Sequence, residues 1–400
     1  MKIGILTQPL EANYGGLLQA YALQTVLERR GYKVAFLNRL LNHKPDNSAF
    51  NLVPTVIRFI KNVVKFVLRR PLTVVYHEIE PEQWSIVERL TVLFVNRYLH
   101  KSPDFNRTEE IADFCKENGI KIFIVGSDQC WRPLYSPCLP NYYLDFAEKW
   151  DVRRIAYAAS FGVDNWEYSD EMTKTCAHLA QKFDAISVRE ESAIDLCKEH
   201  LGVDAIHVLD PTMLLDKEDY NKLVDNFNLS DFDITPEHSS PTINRIEGRA
   251  LFNYILDQGN DKKLFIEKVA NYTGLIPVYC MPKKPHVKEL IENCPDDCTF
   301  PPVELWLQSF RDSEMVIADS FHGVVFSIIY NKPFWVLANP GRGIARITSL
   351  LKMFDLEERL VTPEKFEKID CYSAIDWDRV NAKRKSLKEF SLDFLKNNLK

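Results

Sequence analysis

The sequence has no glycine-rich signature for a dinucleotide or for a nucleoside triphosphate. Only 14 of its 400 residues are glycine, and neither G-x-G-x-x-G nor G-x-x-x-x-G-K-[ST] occurs. Both motifs serve to bring backbone N–H groups close to phosphates. Their absence means that neither a nicotinamide or flavin site nor a Walker-type phosphate site is indicated.

An excess of positive charge is also lacking. The chain has 50 Lys and Arg against 56 Asp and Glu, for a formal net charge of -6. Tracking a nucleic-acid backbone needs clustered positive charge. We therefore expect no nucleic-acid partner.

The nine cysteines follow neither a disulfide framework nor a metal-ligand pattern. Cys294 and Cys298 are close in sequence, but no second Cys or His pair lies at ligand spacing, and Cys130 and Cys138 are too far apart to supply one. The first residues form only a short apolar stretch, without a small-residue cleavage site. We predict a reducing, cytoplasmic location, and we expect neither a metal nor a cofactor.

No run reaches the ~18 apolar residues of a membrane-spanning helix. The nearest candidate is VIRFIKNVVKFVLRR, residues 56–70, in which basic and apolar residues recur at helical spacing. Such a helix is typical of a segment on an anionic membrane surface, here the inner face of the membrane. A helix that packs on its own domain shows the same pattern, so both interpretations stay open.

Short apolar runs such as KIGILTQ, KIFIVGS and MVIADS alternate with helical periodicity. This alternation predicts an α/β protein with doubly wound parallel sheets, in the form of two Rossmann-like domains facing a cleft. The expected boundaries are an N-terminal domain over residues 1–215 with a helical insertion at about 40–115, a linker over 216–246, a C-terminal domain over 247–375, and a helix over 376–400 that packs back on the first domain.

Ligands of open parallel sheets bind beyond the carboxyl ends of the strands. In the first domain this rule selects the loop 8–16, Gly126-Ser127-Asp128, Ser160-Phe161-Gly162, Arg189-Glu190 and Asp210-Pro211-Thr212. In NYGGLLQAYALQ, residues 13–24, Gly15 and Gly16 leave N–H groups uncovered at a helix N-terminus for an anion or for hydroxyls. The alternative is that these glycines only close a tight turn between strand and helix.

In the second domain the rule selects DSFHG and NPGRG. His322 is expected at the cleft, at a helix N-terminus whose dipole disfavours extra positive charge. Arg342 and Arg346 follow the next strand, and arginine suits phosphate or carboxylate. Arg189 adds a cation from the facing domain. The alternative is that these arginines form ion pairs across the interface, with Glu190, Asp319 or Glu357.

Eight stretches in this order resemble the polysaccharide pyruvyl transferase family: NYGGLLQAYALQ, VGSDQCW, AASFG, SVREES, VLDPTMLL, DSFHG, NKPFWVL and GIARITSLL. The similarity runs from near residue 3 to about 360, outside the insertion and the linker. It implies a glycosyltransferase-B-like architecture and transfer of pyruvate from phosphoenolpyruvate to two hydroxyls of one sugar, as a cyclic ketal. The acceptor would be a bacterial surface polysaccharide or its lipid-linked precursor.

The resemblance also implies roles for the candidate residues. His322 would protonate the methylene carbon of phosphoenolpyruvate, which requires a charged imidazole beside the donor anions. Asp128 would orient or deprotonate an acceptor hydroxyl, and Trp131 would stack on a sugar. The second domain is expected to hold the donor and the first domain the acceptor. The donor-binding candidates are Arg189, Ser320, Gly323, Arg342 and Arg346; the acceptor-binding candidates are Asn13, Tyr14, Gly15, Gly16, Gln19, Ser127 and Trp131.

One departure from the family pattern and two other functions remain open. Some family members have arginine where this chain has Ser320, so either other arginines hold the donor or the donor is different. A nucleotide-sugar-dependent glycosyltransferase would use the same two-domain cleft. A non-catalytic glycan-binding protein, in peripheral contact with a membrane through residues 56–70, is the third interpretation.

Overall fold

A computed structural model of the chain describes residues 1–40, 80–228, 249–339, 342–362, 365–366, 369–371 and 373–399. The basic stretch 56–70 lies outside the described residues, and so does most of the predicted linker. The described residues form two parallel α/β units, each built on one sheet.

The first unit has a six-stranded sheet in the order β2-β1-β3-β4-β5-β6, with every adjacent pair parallel. Strands β1 and β3 are buried almost throughout, because helices cover both faces of the sheet. This double burial explains why they appear in the sequence as unbroken apolar runs. The strands are β1 (Lys2–Leu6), β2 (Lys33–Phe36), β3 (Ile122–Val125), β4 (Arg153–Ala159), β5 (Ala185–Val188) and β6 (Ile206–His207).

Seven α-helices accompany this sheet within the described ranges. Helix α1 begins after Asn13, whose side-chain oxygen accepts a hydrogen bond from Gly16 N at 3.2 Å and so caps the helix. Helix α7 occupies the start of the predicted linker, where the ring of Tyr220 packs against Phe326 of the second unit. The helices are α1 (Tyr14–Glu28), α2 (Pro81–Val87), α3 (Arg89–Tyr98), α4 (Thr108–Glu117), α5 (Asp170–Ala180), α6 (Ser192–Leu196) and α7 (Lys217–Asp225).

The second unit has a five-stranded parallel sheet in the order β11-β10-β9-β7-β8. Its strands are β7 (Ala250–Tyr254), β8 (Ile276–Tyr279), β9 (Met315–Ala318), β10 (Phe334–Leu337) and β11 (Leu360–Val361). Its helices are α8 (Asn260–Thr273), α9 (Lys288–Asn293), α10 (Pro295–Cys298), α11 (Val303–Asp312), α12 (Phe321–Ile329) and α13 (Ile344–Phe354).

The last helix, α14 (Trp377–Asn398), lies against the first unit. Leu209 N donates to Ser391 Oγ at 3.0 Å, and the hydroxyl of Tyr32 donates to Leu399 O at 3.0 Å. The chain therefore returns to the first unit after completing the second.

The two units pack directly on each other through aromatic side chains. The ring of Tyr14 in α1 stacks on Trp306 in α11 with 5.4 Å between centroids, and the Tyr14 hydroxyl donates to Pro301 O at 2.8 Å. Helix α2, from the predicted insertion, adds a second contact in which Phe300 N donates to Val87 O at 2.9 Å. These contacts hold the carboxyl ends of the two sheets against one cleft.

Candidate functional site

The centre of the cleft on the first domain is a buried arginine between two carboxylates. Arg189, directly after β5, places NH1 2.9 Å from Asp210 Oδ2 and NH2 3.1 Å from Asp128 Oδ1. Burial would lower the pKa of Arg189, but the two carboxylates raise it above its ordinary value. One cation thus faces two anions, and the triad keeps one uncompensated negative charge.

Both carboxylates stay ionised despite their burial. Burial would raise the pKa of Asp210, but the nearby His322 and Arg189 hold it well below its ordinary value. Burial acts on Asp128 in the same way, and the same two neighbours lower its pKa. The first-domain side of the cleft is therefore an anionic surface with fixed geometry.

His322 comes to this surface from the second domain, in the first turn of α12. Its Nε2 lies 3.7 Å from Asp210 Oδ2, and its side chain is 9% exposed. The imidazole rests on the backbone of Gly15: a Cβ at that position would lie 1.9 Å from Nδ1. The glycine of NYGG is thus needed for the close approach of His322.

Arg346 lies beside this pair and is only partly neutralised. Its NH1 is 3.8 Å from Asp128 Oδ1, and its NH2 donates to Arg342 O at 2.7 Å. Burial and the charge of Arg189 lower its pKa to about 10. The guanidinium groups of Arg189 and Arg346 lie 4.5 and 5.8 Å from the ring of Phe321, which therefore contacts both cations.

Three buried nitrogens of the site have no hydrogen-bond partner among the described residues: Nε of Arg189, Nε2 of His322 and Nε of Arg346. Leaving a buried donor unpaired costs free energy. A group of such donors in one cleft is typical of a site whose ligand supplies the acceptors.

Arg342 is already engaged within its own domain. Its Nε and NH2 donate to the two Asp257 oxygens at 2.6 and 2.8 Å, and both side chains are nearly half exposed. Asn339 donates to Asp257 at 2.8 Å and to Asp319 at 3.0 Å. Arg342 thus lies at the margin of the cleft, in an ion pair that differs from the alternatives predicted from the sequence.

Ser320 and Gly323 have local structural uses in this fold. The Ser320 hydroxyl accepts from Gly323 N at 3.0 Å, so it caps helix α12. A Cβ at position 323 would lie 2.5 Å from Cβ of Ala318, so the glycine lets α12 approach strand β9. Ser320 and Gly323 therefore both help to fix the position of His322, which lies between them in the chain.

Most of the acceptor-side candidates form a hydrogen-bonded support beneath Asp128 and Asp210. Asn13 is exposed, and its Nδ2 donates to Asp128 Oδ2 at 3.2 Å. Gln19 is fully buried; its Nε2 donates to Gly16 O at 2.9 Å, and its Oε1 accepts from Ser127 N at 3.1 Å. Ser127 Oγ lies 3.1 Å from Asp210 Oδ2.

Two predicted acceptor residues lie in the core instead of lining the cleft. Trp131 is fully buried, stacks on Tyr143 at 4.9 Å and donates its indole N–H to Tyr142 O at 3.0 Å. Tyr14 is 1% exposed and packs between the domains. Exposing a large aromatic ring to water costs more free energy than one stacking contact at the surface provides. In this conformation no sugar can reach the faces of Trp131.

The position after a strand selected Asp210 and the stretch DSFHG, but no role in the site followed from the sequence for Asp210 or Phe321. Asp210 follows β6 in VLDPTMLL, and its Oδ1 accepts from Thr212 N and Oγ1 at 3.0 and 2.6 Å. Through Oδ1, Asp210 caps the turn that follows it, whereas Oδ2 faces the cleft. Phe321 belongs to the selected stretch DSFHG, and only the structure shows its contact with the two arginines.

Within the described part of the chain, no group of three or more His, Cys, Asp or Glu side chains is arranged to hold a metal ion. The same residues include no helix that is both long and apolar enough to cross a membrane.

A family model described as Polysaccharide pyruvyl transferase matches residues 13–341 of this chain. No curated protein matches it in sequence. Among solved structures, Arabidopsis thaliana UGT89C1 complexed with UDP-L-rhamnose aligns with a TM-score of 0.52 at 8% identity, over 98% of each chain. The UDP-GlcNAc 2-epimerase of Methanocaldococcus jannaschii aligns with a TM-score of 0.52 at 12% identity, again over 98% of each chain. Identities this low show the fold alone, and the predicted glycosyltransferase-B-like pair of domains is confirmed.

Proposed function

Because the chain belongs to the polysaccharide pyruvyl transferase family, and is therefore a transferase acting on polysaccharide, we propose that its donor is phosphoenolpyruvate and its product a cyclic pyruvate ketal. The observation that carries this proposal is the meeting of His322 and Arg346 with the carboxylates of the facing domain, with unpaired N–H donors left in the cleft. A donor that is an anion and has a carbon atom able to accept a proton fits the arginine and the histidine.

His322 is the proposed general acid. A charged imidazole would give its proton to the methylene carbon of phosphoenolpyruvate, leaving an oxocarbenium-like C2. A sugar hydroxyl then adds to C2 and releases its proton, and phosphate leaves. A second hydroxyl of the same sugar closes the ketal and gives its proton to the departing phosphate.

Arg346 is the proposed anchor of the donor. It is buried, it carries an unpaired Nε, and Asp128 lies at 3.8 Å, beyond a hydrogen bond. Arg342 would add a second contact by exchanging its half-exposed Asp257 partner for the donor, since such pairs contribute little stability. Arg189, with two carboxylate partners, would support the site without clamping the donor.

The acceptor would bind at Asp128 and Asn13. Asp128 Oδ2 accepts one long hydrogen bond, from the exposed Asn13 at 3.2 Å. Replacing that bond by a sugar hydroxyl costs little, and an ionised carboxylate suits the orientation or deprotonation of a nucleophile. The acceptor would be a bacterial surface polysaccharide or its lipid-linked precursor.

The test is release of phosphate from phosphoenolpyruvate with a panel of synthetic and lipid-linked glycans, followed by mass analysis of the product. The wild type is compared with His322→Ala and with a matched control, His178→Ala, which removes an exposed histidine paired with Glu148. We expect acceptor-dependent release, a pyruvate ketal in the product, loss of both in His322→Ala and retention of both in His178→Ala.

Two outcomes contradict the proposal. Binding of a nucleoside diphosphate, without binding or turnover of phosphoenolpyruvate, would point to a nucleotide-sugar-dependent glycosyltransferase. Unchanged function in His322→Ala would point to a non-catalytic glycan-binding protein.

A further inference from the structure

Asp210 and His322 face each other from different domains, and Nε2 of His322 has no hydrogen-bond partner among the described residues. Oδ2 of Asp210 lies 3.7 Å from Nε2 of His322, with the two side chains 0% and 9% exposed. This distance exceeds a hydrogen bond. Hydrogen bonds of catalytic groups are often long before substrate binds and shorten in the complex.

Asp210 is held far more tightly than an ordinary surface carboxylate. Thr212 donates twice to Oδ1, from its backbone N at 3.0 Å and its hydroxyl at 2.6 Å. Ser127 Oγ and Arg189 NH1 donate to Oδ2 at 3.1 and 2.9 Å. Four donors fix both the orientation and the ionised state of a fully buried carboxylate.

His322 itself has no such support inside its own domain. No residue of the described second domain accepts or donates a hydrogen bond at Nε2. Asp210 and Asp128 of the first domain interact electrostatically with the imidazole, and the backbone of Gly15 in helix α1 packs against it.

From this geometry we infer that Asp210 is the positioning residue of His322. Its carboxylate selects the tautomer that carries hydrogen on Nε2, and it fixes the orientation of the imidazole once the two domains are together. A histidine on one domain is thus positioned by a carboxylate on the other. The inference rests on the proposed acid role of His322.

The first test needs no substrate. Histidines are labelled with ¹⁵N, and the His322 signals are assigned by their loss in His322→Gln. In the wild type we expect the neutral imidazole to be mainly the Nε2–H tautomer. In Asp210→Asn we expect the fraction of the Nε2–H tautomer to fall, because the carboxylate that would accept from Nε2 is gone.

The matched control is Asp204→Asn, which removes a carboxylate that is 90% exposed and paired with Lys198. It should leave the His322 signals as in the wild type. Asp210→Asn is expected to fold, because Arg189 keeps Asp128 as a partner and the pair is then neutral. If it does not fold, the tautomer in the wild type still decides: a predominant Nδ1–H form overturns the inference, and so does an unchanged tautomer ratio in a folded Asp210→Asn.

The second test separates this role from a merely structural one. With phosphoenolpyruvate and an acceptor, Asp210→Asn should lower kcat by at least about tenfold while the KM for phosphoenolpyruvate stays within about twofold of the wild-type value, because a mispositioned acid slows the chemical step without weakening donor binding. A rise in KM without a loss of kcat would indicate only structural support and would refute the inference. If no acceptor supports turnover of phosphoenolpyruvate, the proposed function fails while the NMR result stands.

Discussion

The contact between Gly15 and His322 gives the sharpest test of the site, through the substitution Gly15→Ala. Position 15 lies in the first turn of α1, where alanine is intrinsically better than glycine by up to ~1 kcal/mol. The added methyl would meet Nδ1, Cγ and Cε1 of His322 at 1.9, 2.3 and 2.6 Å. Helix propensity therefore predicts that Gly15→Ala stabilises the protein, whereas the contact with His322 across the cleft predicts that it destabilises the protein.

The size of the effect follows from the distances. To reach an ordinary contact of about 3.4 Å, the imidazole must move by roughly 1.5 Å, either alone or with its whole domain. A displacement of about 1 Å in a catalytic group costs ~100-fold in rate. Overpacking a tight contact also destabilises by ~1–3 kcal/mol, which offsets or exceeds the gain in helix propensity.

The assay combines phosphate release from phosphoenolpyruvate with thermal unfolding, for Gly15→Ala, His322→Ala and the double variant. We expect activity to fall by about 100-fold or more in Gly15→Ala. In the His322→Ala background the added methyl should no longer destabilise, because its collision partner is absent. A Gly15→Ala protein with wild-type activity, or a stability penalty of equal size in both backgrounds, would refute the reasoning.

Three further outcomes are expected. Arg346→Lys should raise the KM for phosphoenolpyruvate by about tenfold or more with the fold retained, because lysine cannot reproduce a buried bidentate contact; an unchanged KM would exclude Arg346 as the anchor. Tyr14→Phe should destabilise by about 1 kcal/mol in urea denaturation, because it removes the bond to Pro301 O. The pKa values of Asp128 and Asp210 are lowered by folding, so their stabilisation is present above about pH 4 and is lost as the pH falls below it, where the unfolded chain takes up protons. Urea denaturation between pH 7 and 3 should therefore show a smaller loss of stability on acidification in Asp210→Asn than in the wild type.

The sequence predicted the location of a site residue well where its position directly after a strand was enough to place it. Strand ends in a parallel sheet meet at one edge, and this rule was enough to bring together Asp128, Arg189, His322 and Arg346 from loops far apart in sequence. It also identified the glycines of NYGG as a place of close approach, although not the imidazole that approaches.

The sequence did not reveal tertiary contacts, that is, which distant side chain each residue packs against or pairs with. Arg342 pairs with Asp257, 85 residues away in the chain, and no periodicity announces such a contact. Trp131 follows a strand end as a ligand-binding residue would, but the core around Tyr143 accommodates its ring. The position after a strand selected Asp210, but it did not reveal that Oδ2 would face His322 of the other domain.

The glycines at the boundary also bear on how such a chain can change over time. Gly15 has no room for a side chain because of an atom on the other domain, and Gly343 likewise, since its Cβ would lie 2.0 Å from Gly162 O. The halves therefore fit each other at the level of the backbone. A chimaera with the second domain of a relative should be active only where the two domains leave the same space at both points. The two halves are therefore inherited as a matched pair and are not freely interchangeable modules.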